Sequence, residues 1–298
     1  MVRNRKITYI FSGVLVAISF VSLLLWGLAP SIDFTGGALL EVEYKDERPS
    51  VTLLQEKANE LGLGNVLLQP VGEKGLIIRL KDITQEEHRK LLDVLTDSGM
   101  RPEEKRFDSI GPIIGKELRQ KSWVAVAIVV LAIILYIAWA FRKVSRPVVS
   151  WKYGVTAVVA LIHDVSIPSG LFAILGRFWN IEIDILFITA LLTTLGFSVH
   201  DTIVVFDRIR ENLKKEAGKN FDETVELSIR QTMTRSIITS MTVIFILLAL
   251  LFLGPSSVKY FSLTLLVGIS FGTYSSICLA SPLLVTWQKR SEKRKFSK

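Results

Sequence analysis

The sequence predicts a polytopic α-helical membrane protein: six transmembrane helices, with one α+β domain inserted after the first. Three observations predict this. Half of the 298 residues are hydrophobic and the mean hydropathy is +0.42, more apolar than an ordinary soluble domain. The apolar residues gather into six runs, each near the roughly 20 residues that a hydrocarbon core about 30 Å thick requires. Between the first two runs, residues 30–121 show instead the short alternating patterns of a water-exposed α+β domain.

The first run, Ile7–Leu28, follows MVRNRK. It is too long for a signal-peptide core and has no clean A-x-A site, and Pro30 sits where cleavage would be awkward, so it is expected to remain as an anchor. In the soluble segment, GGALLEVEYK reads as a strand. VTLLQEKANELG reads as a helix stopped at Gly62, and NVLLQPVG and GLIIRLK as two strands. TQEEHRKLLDVLTDSG is a helix capped by Thr84, and PEEKRFDSIG a final strand. The order β-α-β-β-α-β is the split βαβ arrangement of ferredoxin-like domains. The remaining runs are Trp123–Phe141, Tyr153–Leu175, Ile183–Phe206, Ile237–Leu253 and Val258–Thr286. The expected organisation is a cytoplasmic segment and first helix over 1–29, an extracytoplasmic domain over 30–121, the other five helices over 122–288, and a basic tail over 289–298.

Charge sets the orientation. Arg3, Arg5 and Lys6 precede the first run. Arg142, Lys143, Arg146 and Lys152 follow the second, and Arg208, Arg210, Lys214, Lys215 and Lys219 follow the fourth. The alternate loops hold only Arg177 and Lys259. The positive-inside rule places both termini in the cytoplasm, which agrees with an even number of spans. The net charge of +8 is therefore topological, and no nucleic-acid partner is expected. The soluble segment is nearly balanced, with 14 Lys and Arg against 17 Asp and Glu. It carries no metal-ligand spacing and no phosphate-binding glycine loop, and His88 looks like a lone histidine on an exposed helix. Cys278 is the single cysteine and reads as a packing residue. No catalytic residue, metal or cofactor is expected, and the chain does not read as an enzyme.

The informative residues are ionisable groups inside the apolar runs, because a charge at mid-bilayer costs about 2.5–3.5 kcal/mol on insertion scales and is kept for function. Asp201 shares a helical face with Thr194, Ser198 and Arg208. It lies about 6–10 Å inside the cytoplasmic end of its run by helix rise. Arg235 opens the fifth helix at similar depth, where an antiparallel neighbour can bring it to Asp201. Burial and an arginine pull a carboxyl's proton affinity in opposite directions, which suits a group that loads and releases protons. His163 and Asp164 are the deepest ionisable pair, about 17 Å along the third helix, and Pro168 removes the backbone hydrogen bond to the Asp164 carbonyl. His200 precedes Asp201 and points about 100° away from it; an imidazole there either donates to a hydroxyl or titrates near neutrality. Gly268, Gly272, Ser276 and Ala280 recur every four residues as a face for close helix packing.

The run GFSVHDTIVVFDRIREN, with Gly196, Thr202, Asp207, Arg208, Arg210 and Glu211 around Asp201, resembles the signature of the SecD/SecF family of protein-export membrane proteins, on its SecF side. Further pieces fall in matching order: DFTGG with Asp33, Gly36 and Gly37, GPIIGKEL with Gly111, Pro112 and Gly115, LIHDV at 161–165, RQTMTRSIITS at 230–240 and GISFGTYSSICLASPLL at 268–284. The resemblance implies half of a resistance–nodulation–division (RND) transporter bundle in the bacterial inner membrane. It implies that the chain works with SecD and the SecYEG channel on unfolded preprotein, using the proton-motive force in late steps of export. In the family, the residues matching Asp201 and Arg235 are associated with proton passage. The proton pathway is therefore expected to include Asp201, Arg235, His163, Asp164, His200 and Ser198, with membrane lipid and protons as the small partners. The chain departs from the family's usual Tyr-Ser-x-Asn-Asp at Phe197 and His200. The alternative is a half-size RND-type transporter of lipid or small molecules. An intramembrane aspartyl protease needs two facing aspartates, which Asp164 and Asp201 could mimic, but the G-x-G-D pattern is absent.

Overall fold

The computed structural model describes residue 2 and residues 5–96, 100–142 and 148–296, with side chains to residue 291. The chain divides into two compact units, Pro30–Trp123 on one hand and Met1–Ala29 with Val124–Lys298 on the other.

The smaller unit begins with a single helical turn, α2 (Ile32–Thr35), capped by Ser31, whose hydroxyl accepts from the Asp33 amide. Strand β1 (Gly37–Glu43) follows, then α3 (Val51–Glu60), β2 (Leu67–Val71), β3 (Gly75–Leu80), α4 (Gln85–Leu95) and β4 (Glu103–Ile110). The sheet order is β2-β3-β1-β4 and every pairing is antiparallel. This is the expected split arrangement, with β3 inserted beside β1. Alternation buries Ala38, Leu40, Val42, Leu76 and Ile78 on the sheet face that meets Leu54, Ala58, Leu91 and Leu95 of the two helices. Helix α4 starts with a complete capping box between Thr84 and Glu87. The Thr84 amide and hydroxyl hold the Glu87 carboxyl below its ordinary range. One correction falls here. His88 is not on an exposed face: it is 8% exposed and stacks on Phe107 of β4 at 3.9 Å, with Nε2 3.3 Å from Glu104.

Two glycine motifs meet at the base of this unit. The Gly36 and Gly37 backbones take φ of 74° and 128°, which favour glycine. A Cβ at Gly36 would lie 2.6 Å from Pro112 Cα, and one at Gly115 2.7 Å from the Gly36 nitrogen. DFTGG and GPIIG are thus two sides of one close backbone crossing. Pro112 opens α5 (Pro112–Ala140), one residue after β4 ends, so GPIIGKEL is the first turns of that helix rather than a linker before it.

The larger unit holds α1 (Arg5–Trp26), the rest of α5, α6 (Ser150–Trp179), α7 (Ile185–Lys214), α8 (Phe221–Leu253), α9 (Ser256–Ser275), a π-helical turn (Ser276–Ala280) and α10 (Ser281–Phe296). Among the described residues, six helices, counting α9 to α10 as one, are long and apolar enough to cross a membrane. Several outlast their apolar runs: α7 continues to Lys214 and α8 begins at Phe221 under the Asn220 cap, well before the apolar stretch at Ile237. Burial separates an inner set from an outer one. The spanning windows of α6 and α9–α10 are 61% buried, whereas those of α1 and α8 are 17% and that of α5 is 6%. Small residues set the inner contacts. A Cβ on Gly170 of α6 would fall 2.4 Å from Ser19 Cα of α1, and one on Gly268 of α9 would fall 2.4 Å from Thr194 Oγ1 of α7. Phe141, just past α5, stacks on Tyr153 of α6, and Phe206 of α7 meets both rings edge-on. Pro168 sits inside α6 without ending it.

Candidate functional site

The polar residues of the larger unit converge between α6, α7, α8 and α9. Asp164 on α6 is fully buried. Its Oδ2 accepts from Ser198 Oγ of α7 at 2.5 Å and from Ser275 Oγ of α9 at 2.7 Å. Its Oδ1 lies 2.8 Å from Nδ1 of His163, whose ring is also buried and faces Phe271 and Tyr274. The expected grouping of His163, Asp164 and Ser198 is therefore present as one cluster.

Asp201 sits one turn further along α7 and is 5% exposed. Ser236 Oγ of α8 donates to its Oδ1 at 2.8 Å. Thr273, whose hydroxyl shares a 2.5 Å hydrogen bond with Ser240, stands beside the same carboxylate. Oδ2 is buried and, among the described residues, has no hydrogen-bond partner. Thr202 meets Ser276 at 2.8 Å, and Ser276 also donates to the Ser198 carbonyl at 3.4 Å and the Gly272 carbonyl at 3.0 Å. Ser276 opens the π turn, which interrupts the four-residue spacing just past the packed pair Gly268 and Gly272. Such turns occur often at functional sites.

Two expected contacts are not formed. Arg235 is exposed on α8, and among the described residues no ion pair joins it to Asp201. The residue that does reach Asp201 from α8 is Ser236, one position on and about 100° around the helix. His200 is exposed on the outer side of α7 and, among the described residues, makes no hydrogen bond to a neighbouring hydroxyl. Gly196 lies on that outer side too, with open space where a Cβ would go.

The charged end of the signature pairs within itself and with α8. Asp207 pairs with Arg210 at 3.7 Å, and Arg208 with Glu211 at 2.5 Å and with Gln231 of α8 at 2.6 Å. Buried Asn212 crosses to Ser228 at 2.9 Å and Gln231 at 2.8 Å, fastening α7 to α8 at this end. Asn212, Ser236, Ser240, Thr273 and Ser275 were not singled out by sequence. The signal available was polar spacing: Ser236, Ser240 and Ser228, Thr232 recur at four residues on α8.

The comparisons with known proteins agree with this architecture. The family model described as protein export membrane protein SecD/SecF, C-terminal, matches residues 90–290. A protein translocase subunit SecF of Thermobaculum terrenum is 44% identical, over 99% of this chain and 96% of its own length. That of Anaerolinea thermophila is 39% identical over 96% and 92%, and that of Synechocystis sp. 35% over 96% and 93%. The crystal structure of SecDF, a translocon-associated membrane protein from Thermus thermophilus, matches with a TM-score of 0.83 at 33% identity; the match covers 97% of this chain and 38% of that longer one. A SecDF structure in a super-membrane-facing form matches with a TM-score of 0.67 at the same identity, over 99% and 39%. A multi-pass membrane protein with six spans, an inserted ferredoxin-like unit and these relatives along nearly its whole length, the chain belongs to the SecF branch of the SecD/SecF family of protein export membrane proteins.

Proposed function

We propose that this chain is a proton-coupled subunit of the preprotein translocase. It pairs with SecD, works beside the SecYEG channel in the bacterial inner membrane with both termini in the cytoplasm, and uses the proton-motive force to promote late steps of export of unfolded preprotein. It acts as a translocase subunit and not as an enzyme. The relatives' names and the match to part of a longer SecDF chain support the pairing. The observation that carries the coupling is the state of Asp201: a carboxylate enclosed within the helical unit, one oxygen held by Ser236 and the other unpartnered. A proton can settle on Oδ2 without breaking an existing hydrogen bond, and in doing so removes a buried charge. Moving one charge through 100 mV is worth about 2.3 kcal/mol, enough to shift a two-state balance substantially. Asp201→Asn keeps the shape and the Ser236 contact and removes titration. In inverted membrane vesicles the gradient-dependent increment of preprotein translocation is expected to vanish, while SecD still co-purifies in mild detergent. A full increment in the variant would refute the coupling role.

A further inference from the structure

Two carboxylates lie enclosed in the helical unit, and their surroundings differ in kind. Both oxygens of Asp164 are engaged: two serine hydroxyls converge on Oδ2 and an imidazole nitrogen meets Oδ1. The donors come from α6, α7 and α9, so this one side chain joins three helices where two of them nearly touch. A Cβ on Gly272 of α9 would lie 3.1 Å from Ser198 Cβ. Ser198 precedes Asp201 by three residues, close to one turn of α7. Whatever fixes Ser198 therefore fixes the direction in which Asp201 points. Asp201 itself keeps one free oxygen.

We propose that Asp164 is a positioning residue: a hydrogen-bond hub that locks the rotation of α7 and so presents Asp201 to Ser236, while the proton is held at Asp201 alone. The inference rests on the function proposed above and divides its two buried carboxylates into a fixed one and a working one. A hub needs acceptors in the right places and does not need to titrate. An asparagine supplies them. Its amide oxygen has two lone pairs for Ser198 and Ser275, and its amide nitrogen donates to Nδ1 of His163 once that ring is protonated at Nε2. All three contacts persist without a titratable oxygen. Alanine removes the acceptors, leaving the Ser198 hydroxyl and the imidazole without their partner in a closed interior and Ser275 with only the Gly272 carbonyl at 3.0 Å, the costly way to break a buried network.

The test uses the full chain co-expressed with SecD and compares Asp164→Asn, Asp164→Ala and Asp201→Asn. Two quantities are read: gradient-dependent preprotein translocation in vesicles, and the thermal unfolding midpoint of the purified complex in detergent. Asp164→Asn is expected to keep both near the parent, and Asp164→Ala to lose the increment and lower the midpoint. Asp201→Asn is expected to lose the increment with the midpoint unchanged. Loss of the increment in Asp164→Asn overturns the hub, whether or not that variant assembles, because the hub accepts asparagine. Equal midpoints for the asparagine and alanine variants overturn it as well. If Asp201→Asn translocates like the parent, the proton-coupling reading has failed instead, and the midpoints at position 164 still decide the hub.

Discussion

At the scale of single residues, the hydrogen bonds separate what sequence could and could not disclose. Asp164 and Asp201 were legible because a carboxylate in an apolar run is conspicuous whatever surrounds it. Their partners were not: Ser236, Thr273 and Ser275 are among many serines and threonines in the spans, and only the angular setting of each helix shows which of them meet a carboxylate. The same setting explains Arg235. Depth placed it level with Asp201, but the neighbouring position, Ser236, faces inward, and the guanidinium is left on the outside of α8. A cation there is costly in lipid and calls for a polar surface opposite, which the proposed pairing with SecD would provide. Arg235→Lys keeps the charge without the planar fork, and Arg235→Met keeps neither. Gradient-dependent translocation is expected to be partial with lysine and nearly absent with methionine; equal rates for the two would show that the arginine only anchors the helix at the interface.

At the scale of elements, periodicity sufficed for the soluble unit. Alternation in GLIIRLK and the Thr84 cap with Glu87 three residues on leave little freedom, and strands and helices fall where those signals lie. Hydropathy was less exact for the spans. It marks where a helix becomes apolar and not where it starts, so the polar first turns of α5 and α8 were read as flanking chain. The short α2 was missed because four residues carry no period. Its use is clear from the crossing it forms: Gly36 at φ 74° lies against Pro112, and Gly115 lies against Gly36. Neither position has room for a methyl group. Gly36→Ala or Gly115→Ala is therefore expected to displace the start of α5 and lower the amount of folded protein in the membrane, with a loss of about 1–3 kcal/mol typical of overpacking. Gly13→Ala on α1, where a Cβ meets nothing within 4 Å, serves as the control and should accumulate normally. Immunoblots of membrane fractions after protease challenge would read the difference.

At the scale of the whole molecule, the chain has two units with different kinds of core. The soluble one closes a single apolar layer between sheet and helices and, among the described residues, holds no group of His, Cys, Asp and Glu that could bind a metal ion. The role we propose for it is mechanical, as a unit that meets unfolded chain during export. An engineered disulfide that ties this unit to SecD is expected to stop export while the complex still co-purifies, and to release the block on reduction. Export at the normal rate with the bond verified closed would remove the mechanical role. The helical unit leaves α5, α8 and α1 mostly uncovered and encloses α6 and α9.

The π turn at Ser276–Ala280 gives the sixth span a property of its own. Such a turn carries one residue more than an α-helical frame would hold over the same stretch, so the helix contains slack. Handing that residue on toward the C-terminus would screw α10 round by about 100° and advance it about 1.5 Å. The thread engages at both ends. Above, Ser276 grips Thr202; below, Gln288 is bonded to Lys152 at 2.9 Å and Lys289 is paired with Asp222. A single click of this screw would undo the contacts of Gln288 and Lys289 while the upper grip held, making the C-terminal end of α10 a pawl set by the residue count of one turn.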